Sequence, residues 1–359
     1  MTEPQWADAN RASAAKVPRV EPWLAVTVLL AAVGLLLAAR DSLRLWPAYW
    51  VNFLFWAGLA QAGVVLAAVV HLAQGRWGGA LVRLGLLQVA FVPVALILFL
   101  GIALGAEHLL PWAKQPVAGK EWWLNLAFFL WRDGLGLVAL TAASLAFAYF
   151  VLRPEAGAAP GLYPAWLTRG WRGKDAERER SSRVLSWLAP VLVILYAFVY
   201  SLIGFDMVMS LDPHWYSTLF GAYYFTTALY MGLAMLAVAA AVLRRPLGLE
   251  AAITSKQFHD LGKLLFAFCL LSGDFFWSQF LVIWYGDLPE EVSFIVHRVQ
   301  HEPWRTLTFA VLFGGFVVPF VILINRRVKQ IPWTLAAVSV LILAGGFAER
   351  VLMVFPSLR

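Results

Sequence analysis

The sequence predicts an all-α integral membrane protein with about nine (nine or ten) transmembrane helices, and three observations carry that prediction. Of 359 residues, 61% are hydrophobic and only 14% charged, where a soluble domain carries about 25% charge. The mean hydropathy is +0.73. Apolar runs near the roughly 20 residues that a span needs recur along the chain. No stretch of about 100 residues has soluble composition, which excludes a large extramembrane domain and a Rossmann, TIM-barrel or P-loop module. The net charge of +7 then reports the loop bias that orients membrane proteins. It does not point to nucleic acid.

Residues 1–21 are polar, with Pro4 and Pro18, and read as a cytoplasmic tail. No small-residue cleavage site follows the first apolar run, so a true span is expected there and no cleaved signal peptide. Apolar runs follow at 22–39, 50–73, 82–105, 122–152, 184–205, 216–243, 257–285, 304–325 and 331–351. The only long loop, 153–183, holds Pro154, Pro160, Pro164 and the charged RGKDAERERSSR. The expected organisation is a four-helix bundle at 22–152, a cytoplasmic linker at 153–183, a second four-helix bundle at 184–325 and a flanking helix at 326–359.

Charge tests this order. With nine spans, 18 of the 28 Lys and Arg residues fall on the face of the amino terminus and the 153–183 linker, and 7 on the other face. The positive-inside rule places the first face in the cytoplasm. Trp122-Trp123, Trp215-Tyr216 and Trp284-Tyr285 then fall at the outer interface, where aromatic belts sit.

Ionisable groups within spans are costly and so mark candidate sites. The run 257–285 carries His259, Lys263, Asp274 and Ser278. Fifteen helical steps from His259 to Asp274 climb about 22 Å and return to within about 60° of the starting direction. This polar line runs from the cytoplasmic surface to mid-membrane. Asp274, in CLLSGDFFWSQF, is expected to be buried, either relaying protons or pairing with an arginine. Arg132-Asp133, in WWLNLAFFLWRDGLG, point about 100° apart, so each needs a partner on another helix. Asp274 with Arg132 is the expected pair. On the outer face, Asp206, Asp212 and His214 of FDMVMSLDPHWYSTLFG and His297 of the 286–303 loop form the only set suited to a quinone site.

The lone Cys269 excludes an iron–sulfur cluster held by this chain, which takes about four thiolates. C-x-x-C-H for covalent haem is absent. All six histidines sit at span ends or in loops, unsuited to bis-histidine haem inside a bundle, and their spacing matches no compact metal motif.

SLDPHWYSTLFGAYYF, LGKLLFAFCLLSGDFFWSQFLVIWYGDLPEE and HRVQHEPWRTL resemble the ActF subunits of bacterial alternative complex III, within the NrfD/polysulfide-reductase membrane family. The likeness covers about 184–359; before that it is compositional apart from FFLWRD. It implies two four-helix bundles with flanking helices in the bacterial inner membrane. An ActC-like membrane subunit and iron–sulfur and multihaem cytochrome c subunits would be the partners, and they would hold the haem and clusters. The implied function is a membrane subunit of a quinol:electron-acceptor oxidoreductase, giving scaffold and a proton path with no redox centre of its own. The second reading is a direct quinone-binding, quinol-oxidising subunit. The third is a secondary transporter, disfavoured because no broken mid-span helices or inverted repeats are visible.

Overall fold

The computed structural model describes residues 42–75, 78–157 and 165–358. Among them every regular element is helical, and eight helices are long and apolar enough to cross a membrane. In chain order these are α1 Leu45–Leu72, α2 Gly79–Leu109, α3 Leu126–Ala156, α4 Lys174–Leu211, α5 Phe220–Leu243, α6 Ser255–Gly286, α7 Trp304–Ile324 and α8 Pro332–Ser357. The chain is therefore a multi-pass all-α membrane protein. Each expected run from 50–73 onward falls on one of these helices. The tail 1–21 and the first expected span, 22–39, lie outside the described residues.

Local chemistry sets several helix ends. The Asn125 side chain accepts from the Phe128 N–H and starts α3. Thr254 and Gln257 form a capping box at the start of α6, satisfying amides that have no helical partner. Asp287, at φ 46°, ends α6 in the left-handed conformation, which aspartate tolerates better than most residues.

Apolar area adds little to helix association in lipid, so close packing through small residues takes over. α1 and α5 are the two most enclosed spans and cross each other at such residues. A Cβ added to Gly232 of α5 would stand 1.9 Å from the Ala62 Cβ of α1. On its other side α1 meets α2, where a Cβ on Gly63 would lie 2.1 Å from the Gly85 carbonyl oxygen. α1 also packs on α4 and α8, and α5 on α4, α6 and α8, so α1 and α5 tie the two halves together. α7 and α8 touch at Gly315 and Gly345, within the π-helical stretch Val311–Val317 of α7.

Alternation of the helices gives a basic end, with the loops near 73–78, 157–173, 244–254 and 325–331, and an opposite end with those near 110–125, 212–219 and 287–303. The expected linker 153–183 is shorter than its prolines and charges suggest, because α3 runs on to Ala156 and α4 starts at Lys174. Arg153 is buried there and donates through Nε to Glu177 Oε2 at 2.7 Å. It also donates to the carbonyls of Leu167, Arg169 and Gly170, each at 3.2 Å. One guanidinium holds the connection that composition alone reads as solvated.

Candidate functional site

The strongest intramembrane polar cluster lies near the opposite end, where α3 and α4 pack side by side. The cap at Asn125 places Arg132 and Asp133 in the second turn of α3, on neighbouring directions of the helix. Asp206 sits at the far end of α4. Arg132 donates to Asp206 Oδ2 through Nε at 2.8 Å and through Nη2 at 2.7 Å. Trp123 Nε1–H donates to Asp206 Oδ1 at 2.9 Å. The guanidinium carbon lies 3.9 Å from the Trp123 ring centre and 4.5 Å from that of Phe128, a cation–π arrangement that is strong where water is excluded.

Asp133 is fully buried. Its two oxygens meet no hydrogen-bond donor among the described residues, and the group beside them is the Asp206 carboxyl. Two acceptor-only carboxylates make no hydrogen bond with each other unless a proton lies between them. The cluster also holds two acidic groups for one guanidinium, so with both ionised it is net negative in a dry setting. A proton shared by the two carboxyls would balance the charge and make the missing hydrogen bond.

A second cluster, absent from the sequence-based expectations, lies at the same end between α5 and α8. Arg350 is fully buried inside α8. It donates through Nη2 to Thr227 Oγ1 at 2.9 Å, and its guanidinium carbon lies 4.5 Å from the Tyr224 ring centre. Tyr223 donates its hydroxyl to Glu349, which lies 3.4 Å from the guanidinium of Arg350. Tyr196, tilted against Tyr200 with ring centres 4.6 Å apart, and Tyr224, stacked on Tyr200, line the α4–α5 side. The signal was present: AER sits inside LILAGGFAERVLMVF, as WRD sits inside its own apolar run.

The polar line of α6 lies elsewhere. Lys263 is exposed and pairs with Asp260 at 2.6 Å, and His259 is half-buried at the basic end. Asp274 is exposed, and Ser278 one turn on is half-buried. The expected burial of Asp274 and its expected pairing with Arg132 are thus corrected. Gly273 is the residue turned inward, where a Cβ would stand 2.3 Å from the Phe316 ring. The next residue, about 100° further round, faces out of the bundle. Arg132 belongs to Asp206.

The expected outer-face set is also divided. Asp212 and His214 line a cleft of about 330 Å³ with Leu211, Glu290, Ser293 and Ser357. Asp206 is buried on Arg132 and Trp123 outside that cleft. His297 stacks on His301 with ring centres 4.9 Å apart. No protein-family model matches the chain, and no curated protein matches its sequence.

Proposed function

We propose that this chain is a membrane subunit of a quinol:electron-acceptor oxidoreductase of the alternative complex III type. In this reading it contributes scaffold and a proton-holding site, while quinol oxidation and electron transfer belong to partner subunits that carry haem and iron–sulfur clusters. The long motifs between 184 and 359 support the assignment to such a complex, and the single cysteine agrees with a subunit lacking a cluster of its own. In this reading the chain lies in a bacterial inner membrane with its basic loops and amino terminus on the cytoplasmic side, and the Asp133–Asp206 cluster is near the outer surface.

The observation that carries proton handling is a pair of buried carboxyls beside one guanidinium, which bonds Asp206 and leaves both Asp133 oxygens without a donor among the described residues. Arg132 and Trp123 engage both oxygens of Asp206, which leaves Asp133 as the group free to take up and release a proton. The path therefore centres on Asp133 and not on the outward-facing Asp274. Of the residues named for the direct quinone-binding reading, only Asp212 and His214 share a cleft, while Asp206 is engaged by Arg132 and Trp123.

The test is Asp133→Asn in the whole complex. Asparagine keeps the shape and supplies an N–H donor toward Asp206 while removing the titration. Assembly and uncoupled quinol oxidation are expected to be normal, with proton translocation in vesicles lost. Unchanged translocation overturns the assignment of Asp133.

A further inference from the structure

We propose that the outward face of α6 docks a transmembrane helix of a different polypeptide, one that presents a lysine or arginine to Asp274 at mid-membrane depth. This requires only that α6 crosses a bilayer, and it stands apart from the proton role of Asp133.

Depth comes first. Asp274 lies ten residues, about 15 Å, from the exposed Trp284, and eleven residues, about 16 Å, from the exposed Lys263. An aromatic and a basic residue of that kind mark the two interfaces of a hydrocarbon layer about 30 Å thick. The carboxyl is therefore near the middle, where a charge facing lipid is costly.

Asp274 makes no hydrogen bond or ion pair among the described residues. Around it Ala267, Leu270, Leu271 and Trp277 are all exposed on the same flank. α6 and the adjoining α7 are the least enclosed of the eight spans. An intramembrane carboxylate on a bundle's outside is stable when another chain brings a complementary group.

Charge identifies the occupant. The apolar stretch 22–39 contains no Lys, Arg or His, so it offers no cation at that depth. A second copy related by an axis normal to the membrane would bring its own Asp274 to that depth and no cation. The intramembrane arginines that a copy could offer, Arg132 and Arg350, are enclosed in their own clusters. A different membrane polypeptide with a mid-span base is what remains.

The experiment places a photoreactive phenylalanine analogue at Trp277 in native membranes and identifies adducts by mass spectrometry. The expected adduct joins this chain to a transmembrane segment of another polypeptide with Lys or Arg near its centre. Asp274→Leu should then lower recovery of that polypeptide at least about tenfold, as expected when a buried base is orphaned. The chain's own yield should hold, since Asp274 makes no hydrogen bond or ion pair among the described residues. Asp274→Lys should abolish recovery, and replacing the partner's base with Asp should restore it. An adduct to residues 22–39, to a second copy or to lipid alone overturns the proposal. So does undiminished recovery with Asp274→Leu.

Discussion

Arg132 and Asp206, 74 positions apart in the chain, meet at 2.7 Å between α3 and α4, with the Trp123 ring beneath the guanidinium and its N–H on the second carboxyl oxygen. The side chains are 10% and 1% exposed. That burial decides how the pair responds to mutation. An exposed ion pair is worth about 0–1 kcal/mol, whereas removing one member of a buried pair strands the other in a dry site.

Arg132→Met should accordingly destabilise the protein by about 3–5 kcal/mol, because it orphans Asp206 and leaves Asp133 facing an unneutralised carboxyl. The double variant Arg132→Met, Asp206→Leu should recover most of that loss. Thermal unfolding in detergent for the two single variants and the double gives the coupling energy. Additive losses would show that the two side chains do not act as a pair.

Helix approach at Gly232 is expected to be equally specific. Gly232→Ala puts a methyl 1.9 Å from the Ala62 Cβ and should cost about 1–3 kcal/mol by overpacking. Adding Ala62→Gly moves the space to the partner helix and should restore most of the loss. A fall in melting temperature for the single change, reversed in the double, is the expected result. Equal melting temperatures for wild type and Gly232→Ala would place the α1–α5 contact elsewhere.

The proposed topology rests on the 18 basic residues expected on one face against 7 on the other. A cysteine introduced at the exposed Gln300, in a Cys269→Ser background, should react with a membrane-impermeant thiol reagent on intact cells. One introduced at the exposed Glu179 should react only after lysis. The reverse pattern would invert the orientation.

The sequence by itself determined the class, the eight spans that the structure describes and the ends at which loops lie. Those features depend on how many apolar residues run together and on local caps such as Asn125 and Thr254, all of which can be read along one strand of text. It also marked Arg132 and Asp133 as charges in an apolar run, and Asp206 as an outer-face residue beside Asp212 and His214. It could not say which helices bring them together, nor that Asp274 faces outward. A helical period tells only which residues share a face, and both faces of α6 are apolar enough to be turned inward. The tertiary structure decided this through volume: Gly273 admits the Phe316 ring and so fixes the rotation of α6, leaving Asp274 on the outside. Arg350 was missed for a related reason. At the end of an apolar run a charge can be solvated or buried, and only the packing of α8 on α5, with Thr227 and Glu349 supplying acceptors, settles which.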